Sequence, residues 1–81
     1  MNEAELKIKI KEIFSIILEV PIEKITDDIS PHNTKKWDSL NHLKIIMEIE
    51  NIFNIDILPE EAINLLTFNK ALEIVKGKFK S

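Results

Sequence analysis

The sequence contains neither cysteine nor arginine. Without cysteine there can be no disulfide, no thiolate nucleophile and no zinc site built on thiolates. All eleven basic residues are lysines in a chain of formal net charge −3, whereas proteins that bind a phosphate backbone normally present a basic face with arginines. The composition therefore argues against nucleic acid as a partner.

Long apolar runs are also absent. No stretch approaches the roughly 20 apolar residues that a membrane-spanning helix needs. The first five residues include two glutamates, unlike the basic start of a signal peptide. We therefore expect a cytoplasmic protein that has no membrane partner and is complete from its own Met1.

What is present fits one small folded domain. The 81 residues are 31% charged and 44% hydrophobic, which is typical of a folded domain and not of a disordered segment. A chain of this length buries only about 60% of the surface that its unfolded form exposes. We therefore expect a single monomeric domain over residues 1–81, with no room for a deep active site.

Apolar residues recur at helical spacing in three long stretches and one short one. The first helix is predicted over about residues 3–18 and the second over about residues 39–53. Pro59 suits the first position of a short third helix, and Thr67 suits the cap of a fourth helix whose end should fray at Gly77. The predicted core positions are Leu6, Ile10, Ile13, Phe14 and Ile17, then Ile45, Ile46, Ile49, Ile52 and Phe53, then Ala62, Ile63, Leu65 and Leu66, and finally Phe68, Ala71, Leu72, Val75 and Phe79. The pattern predicts an all-α four-helix bundle of three longer helices and one short helix.

A polar segment, residues 19–38, joins the first two predicted helices. Loops of this length are usually functional or contain a short helix. We expect Ile22, Ile25 and Ile29 to pin the loop to the bundle. Trp37 is interpreted as an anchor that packs the loop onto the helices, with an exposed contact beside the site as the alternative.

The second helix is apolar on two sides. Leu40, Leu43 and Met47 lie nearly opposite its core face, and a helix with two apolar stripes is either buried all round or keeps one stripe for a partner. So small a domain can hardly bury both stripes. The predicted partner surface consists of Asp38, Leu40, Leu43, Lys44, Met47, Glu48 and Asn51.

Ser39 stands where the loop ends and the second helix begins. The first turn of a helix has free backbone N–H groups and the positive end of the helix dipole, so a hydroxyl at this point is well placed to carry a phosphoester. The simpler alternative is that Asp38 or Ser39 only caps the helix.

The triplet Asp38-Ser39-Leu40, the apolar helix that continues to Glu50 and Phe53, and the later Ile57 and Glu60-Glu61-Ala62 resemble the acyl carrier protein family over nearly the whole chain. In that family the serine of Asp-Ser-Leu carries 4'-phosphopantetheine, so the resemblance implies Ser39 as the attachment site. It also implies a carrier that is not itself an enzyme and that holds an acyl group as a thioester on this arm. The implied partners are a phosphopantetheinyl transferase and the acyl-loading and acyl-processing enzymes of a pathway.

One departure from the family pattern concerns the pathway. Lys36 stands where many carriers of fatty acid synthesis have a glycine, and the variant Trp-Asp-Ser-Leu is associated more with carriers of dedicated pathways, such as polyketide-like or aminoacyl transfer. The resemblance thus favours a freestanding carrier of a dedicated biosynthetic pathway. Two alternatives stay open: an aminoacyl or peptidyl carrier, and a helical adaptor that uses the apolar stripe without a prosthetic group.

The bundle interior near Ile45, Ile46, Ile49 and Phe68 is one place where an acyl chain could be sheltered. Each methylene buried there would contribute up to about 0.8 kcal/mol. Cargo chains of rising length should then raise the melting temperature, whereas cargo held outside should leave it unchanged.

The two histidines, His32 and His42, lack the ligand partners at matching spacing that a metal site needs, so no metal is expected. His42 is interpreted either as lining the mouth of an internal pocket or as a half-buried histidine bonded to the backbone. A hydrolytic pair of Ser39 and His42 is not expected, because it would need a third orienting group and an oxyanion site. Adjacent Glu60 and Glu61 are expected to complement the dipole of the third helix.

Overall fold

A computed structural model describes residues 2–79, so the expected start at Met1 lies outside the described residues. Within that range the chain forms four α-helices and no β-strand: α1 (Glu3–Leu18), α2 (Ser39–Phe53), α3 (Pro59–Asn64) and α4 (Phe68–Phe79). None of these helices has both the length and the apolar character needed to cross a membrane. The predicted all-α class, with three longer helices and one short one, is confirmed.

Side chains cap the starts of the three longer helices. Asn2, Asp38 and Thr67 each accept a hydrogen bond from the backbone N–H three residues on, at 2.8, 2.9 and 3.0 Å, which satisfies a donor that the helix itself leaves free. Glu19 and Asn54 follow the last residues of α1 and α2 as caps, and their left-handed φ angles of 57° and 54° close the last turn of each helix. The predicted capping of α4 by Thr67 is thus confirmed.

The core lies where α1 packs against α2 and α4. Phe14 is at its centre and meets Trp37 and Phe68 edge to face, with ring centroids 5.2 and 5.3 Å apart. The predicted core residues that are buried are Leu6, Ile10, Ile13, Phe14, Ile45, Ile46, Ile49, Phe53, Leu65, Phe68, Ala71, Leu72 and Val75. The helical spacing of apolar residues therefore identified most of the core.

Four predicted core residues are wrong. Ile52, Ile63, Leu66 and Phe79 are 46, 72, 52 and 45% exposed. Ile52 lies in the wall of an open groove between α1 and α2, where the two helices do not close over it. Ile63 fails for another reason: α3 has only six residues and none of them is buried. Leu66 lies just after the end of α3 and is exposed with it.

The end of α4 also differs from the prediction. α4 stays helical through Phe79, so Gly77 lies inside the helix and does not fray it within the described residues. Nothing lies within 4 Å of the position that a Cβ at Gly77 would occupy.

The loop between α1 and α2 is ordered by contacts with the bundle. Ile25 and Ile29 are buried as predicted, whereas Ile22 is 40% exposed because it belongs to a short 3-10 turn, Ile22–Lys24, without buried residues. The loop carbonyls of Asp27 and Ile29 accept hydrogen bonds from the first backbone N–H groups of α4 at 3.0 and 3.2 Å. The loop is therefore fixed to α4 about ten residues before α2 begins at Ser39.

Candidate functional site

Ser39 is the first residue of α2 and is exposed. The capping role belongs to its neighbour, because the Asp38 carboxylate accepts the Asn41 backbone N–H at 2.9 Å. Within residues 2–79 the Ser39 hydroxyl has no hydrogen-bond partner. Of the two capping alternatives, Asp38 is the cap, and the Ser39 hydroxyl is left available to solvent.

Trp37 anchors the loop immediately before Ser39. Its side chain is only 3% exposed, and its indole Nε1–H donates to His42 Nδ1 at 2.9 Å. The interpretation of Trp37 as an anchor is confirmed, and the alternative of an exposed contact is wrong. Ser39 therefore projects from a loop end that is packed into the core two residues earlier.

Both ring nitrogens of His42 are engaged. Nδ1 accepts from Trp37, which has only a donor to offer, and Nε2 lies 2.8 Å from the Ala62 carbonyl oxygen of α3. A carbonyl only accepts, so the pair of contacts fixes the neutral tautomer with its proton on Nε2. The expectation of a half-buried histidine bonded to the backbone is confirmed.

Lys36 and Asn41 hold the end of the loop through a second set of contacts. The Lys36 carbonyl accepts the Asn41 side-chain Nδ2–H at 2.7 Å and the Asp38 backbone N–H at 2.9 Å. The Lys36 ammonium pairs with Glu19 at the end of α1, at 3.0 Å. Nothing in the sequence pattern indicated that Asn41 holds the loop, because the bond joins a side chain to a backbone atom five residues earlier.

An open, mainly apolar groove of 510 Å³ begins at Ser39. It runs between the end of the loop and α3. Its lining residues are Pro31, Trp37, Asp38, Ser39, His42, Ile63 and Leu66. The exposed isoleucine and leucine that the core prediction misplaced thus form one wall of a groove beside the candidate attachment serine.

All seven residues of the predicted partner surface are exposed. The stripe of Leu40, Leu43 and Met47 is 61, 53 and 57% exposed. Their exposure agrees with the predicted second stripe, while the binding of a partner there stays a prediction.

α3 is tied to α4 by an ion pair that the sequence did not reveal. Lys78 Nζ lies 2.7 Å from Glu61 Oε1, and the same oxygen accepts the Leu58 backbone N–H at 2.8 Å. The Lys78 ammonium, followed by the Leu58 N–H, lowers the pKa of the Glu61 carboxyl below its ordinary value. Glu61 therefore does more than complement the helix dipole.

The histidines and carboxylates show no metal site in the described part of the chain, where no three of them are grouped as ligands. His32 lies in the loop, where its backbone N–H donates to Ser30 Oγ at 3.2 Å. The chemistry that the described residues offer is an accessible hydroxyl at a helix start beside an apolar groove.

Comparison with known proteins identifies the family. No family model matches the chain. The chain is 39% identical over 80 residues to an acyl carrier protein of Buchnera aphidicola subsp. Schizaphis graminum, covering 99% of both chains. It is 33% identical over 78 residues to that of Thermosynechococcus vestitus and 30% identical over 77 residues to that of Lactobacillus johnsonii, covering at least 95% of each chain. Together with the helical order and the exposed serine of Asp-Ser-Leu at the start of α2, these relatives show that the chain belongs to the acyl carrier protein family.

Proposed function

We propose that this protein carries an acyl group as a thioester on a 4'-phosphopantetheine arm attached to Ser39 and delivers it to the enzymes of its pathway. The observation that carries the proposal is that Asp38, and not Ser39, caps the start of α2. Asp38 satisfies the free backbone donor, so modification of the Ser39 hydroxyl would cost the helix no cap. The arm would supply the thiol that a chain without cysteine lacks.

The residues around Ser39 fit such an attachment. The hydroxyl is exposed, and it lies at the positive end of a helix of 15 residues, which favours the negative charge of a phosphodiester. The buried Trp37 and the bonds to the Lys36 carbonyl fix the backbone that leads to it. The protein would thus hold the tether rigidly while the tethered cargo reaches each enzyme at high effective concentration.

We place the enzymes of the pathway on the exposed outer face of α2. This face begins at Asp38 and Leu40 beside the attachment serine and continues through Lys44, Met47 and Asn51. A phosphopantetheinyl transferase would dock there first, and the acyl-loading and acyl-processing enzymes would follow. Because interface charges act mainly by steering association and excluding wrong partners, Lys44 disfavours enzymes with a basic docking patch and supports a dedicated biosynthetic pathway.

Two other functions differ in what the protein would hold. An aminoacyl or peptidyl carrier would use the same arm and the same serine, so identification of the loaded group separates it from an acyl carrier. A helical adaptor is favoured by the exposed stripe of Leu40, Leu43 and Met47, which could bind a partner without any arm. The mass of the modified protein separates carrier from adaptor.

The test is incubation with coenzyme A, magnesium and a broad-specificity phosphopantetheinyl transferase, followed by intact mass spectrometry. The wild type should gain the mass of one arm, and Ser39→Ala should gain none. Ser30→Ala is the matched control, because Ser30 is a loop serine that already accepts a hydrogen bond from His32, and it should be modified like the wild type. A wild type that stays unmodified with several transferases would support the adaptor instead.

A further inference from the structure

The groove between α1 and α2 is a second concave surface of the protein. It is open, has a volume of 510 Å³ and follows the line along which the two helices pack. Ser39 lies outside it and lines a different groove, the one that faces α3. The carrier function proposed above therefore leaves the α1–α2 groove without a role.

Isoleucines form the floor and the edges of the α1–α2 groove. Ile13 on the floor is buried, whereas Ile16 of α1, Ile52 of α2 and Ile22 of the loop are exposed. Ile16 is 77% exposed, more than any other large apolar side chain among residues 2–79. Exposed apolar side chains that lie together beside polar ones are typical of a surface that another molecule covers.

The charged side chains that line the same groove are unpaired. Glu12 and Lys9 of α1 and Glu48 of α2 are exposed, and within residues 2–79 none of their charged groups takes part in an ion pair or a side-chain hydrogen bond. The two glutamates stand on opposite walls because one belongs to each helix. Each wall thus offers a carboxylate beside exposed isoleucines, and the groove carries an excess of negative charge.

We infer that the α1–α2 groove binds an amphipathic helix of a partner protein, in which a row of aliphatic side chains is flanked by lysine or arginine. A groove along two packed helices suits a third helix, whose apolar side chains recur every three or four residues. Ile16, Ile22 and Ile52 would cover that row. Glu12 and Glu48 would meet the basic side chains on its two flanks, because opposite charges across an interface favour association.

The charge of the groove argues against two other occupants. A second copy placed symmetrically would bring Glu12 and Glu48 of both copies together in chains of net charge −3, and like charges that face each other oppose association. An anionic lipid surface would be repelled by the same carboxylates. A basic helix is the occupant that the charges favour, and it would leave the Ser39 hydroxyl uncovered on the α3 side of α2.

The probe is a synthetic helical peptide of about 18 residues, five turns, with leucines along one face and lysines on both sides of them. Calorimetric titration of the unmodified protein at physiological salt should show binding, and Ile16→Ala and Ile52→Ala should each weaken it about tenfold, as expected for loss of one buried anchor. Ile8→Ala is the matched control, because Ile8 is an exposed isoleucine of α1 outside the groove. It should bind like the wild type. All three variants should keep a melting temperature close to that of the wild type, since the side chains are exposed.

A second peptide, in which glutamate replaces every lysine, tests the charges. The wild type should bind it at least about tenfold more weakly, and Glu12→Lys combined with Glu48→Lys should reverse the preference. Glu60→Lys combined with Glu73→Lys makes the same change of net charge at exposed positions outside the groove and should keep the preference for the lysine peptide. A reversal in both double variants would show that net charge alone attracts the peptide, which would overturn the inference.

Further results would also overturn it. One is the absence of binding of the lysine peptide, and another is equal weakening by Ile8→Ala and Ile16→Ala. A larger loss with Met47→Ala than with Ile16→Ala would place the peptide on the outer face of α2. A dimer in sedimentation, or adsorption to phosphatidylglycerol vesicles, that Ile16→Ala abolishes would show that a second copy or a lipid surface covers the groove instead.

Discussion

Asn41 serves the loop and not the partner surface. It is half-buried, and its side-chain Nδ2–H donates to the Lys36 carbonyl at 2.7 Å. An aspartate has the same shape but no donor, and its charge would face the carbonyl oxygen. Asn51, nearly three turns further on, is exposed and belongs to the outer face of α2. Two asparagines that resemble each other in the sequence therefore have different roles.

We expect Asn41→Asp to lower the free energy of unfolding by about 1 to 2 kcal/mol, because the Lys36 carbonyl loses a partner and gains a repulsive neighbour. A gain of about 0.3 to 1 kcal/mol from a negative charge in the first turn opposes this loss but does not cancel it. Asn51→Asp is the matched control and should change the unfolding free energy by less than about 0.5 kcal/mol. Urea denaturation measures both, and equal values would contradict the assigned role of Asn41.

Among the elements, the buried side of each long helix was predictable from spacing, and the buried side of the short helix was not. α1, α2 and α4 each present several turns of apolar residues, so the periodicity fixes which side faces the core. α3 has six residues, too few for spacing alone to tell its inner from its outer side. What holds α3 are bonds to His42 and Lys78, residues 20 and 17 positions away from their partners in α3, and no local pattern indicates such pairs.

The Glu61–Lys78 pair predicts a pH dependence of stability. The pKa of Glu61 is lower in the folded chain than its ordinary value, so the stabilisation is fully present above the ordinary range and is lost as the pH falls through the lowered folded value. Between about pH 5 and pH 3, the unfolding free energy of Glu61→Gln should therefore fall less steeply than that of the wild type.

Glu60→Gln is the matched control for this titration. Glu60 precedes Glu61 in the first turn of α3 and has no ion pair in the described part of the chain. Its substitution should leave the slope of stability against pH close to that of the wild type. Identical slopes for the two variants would show that the ion pair with Lys78 does not stabilise the folded state.

The end of α4 gives a prediction about the fourth helix. Gly77 lies inside α4 with open space where a Cβ would be, so Gly77→Ala adds helix propensity without a clash. We expect the unfolding free energy to rise by about 0.5 to 1 kcal/mol and the melting temperature to rise by a few degrees. No change in thermal unfolding would indicate that α4 frays before Gly77, as the sequence alone suggested.

For the whole molecule, the sequence indicated where the helices and Ser39 lie along the chain. It indicated less about which side chains come into contact in the folded protein. The junction of a polar loop with an apolar helix located Ser39, because that change of character marks a helix start. The groove beside it was not predicted, since it is formed by Ile63 and Leu66, which apolar spacing assigned to the core. The apolar stripe on the outer face of α2 was also predicted. Only the structure shows that Lys44 and Asn51 belong to this face, whereas Asn41 is bonded to the loop.

We expect Lys44→Glu combined with Asn51→Glu to increase turnover by a transacylase of fatty acid synthesis at low ionic strength, because both changes favour association with a basic docking patch. Lys70 on α4 is exposed, and Lys70→Glu reverses one lysine charge as Lys44→Glu does, but away from the outer face of α2. It should therefore have a smaller effect than Lys44→Glu alone. Unchanged kinetics for the double variant would show that this face does not select the partner.

Met47→Ala should weaken the cognate enzyme of the pathway. The Met47 side chain is 57% exposed, so truncating it costs the free protein little stability, while an interface anchor typically loses about 1 to 2 kcal/mol on truncation to alanine. Steady-state kinetics with the cognate enzyme should show a lower kcat/KM at an unchanged melting temperature. An unaltered kcat/KM would exclude Met47 from the partner surface.

The measurement that tests the central claim most directly is localisation of the acyl group on the loaded protein. The chain is modified by a transferase, acylated, and fragmented in the mass spectrometer before and after treatment with neutral hydroxylamine, which cleaves thioesters. The account predicts that the arm and the acyl group are both found on Ser39, and that hydroxylamine removes the acyl group while the arm stays. An acyl group attached elsewhere, or one that hydroxylamine leaves in place, would contradict it.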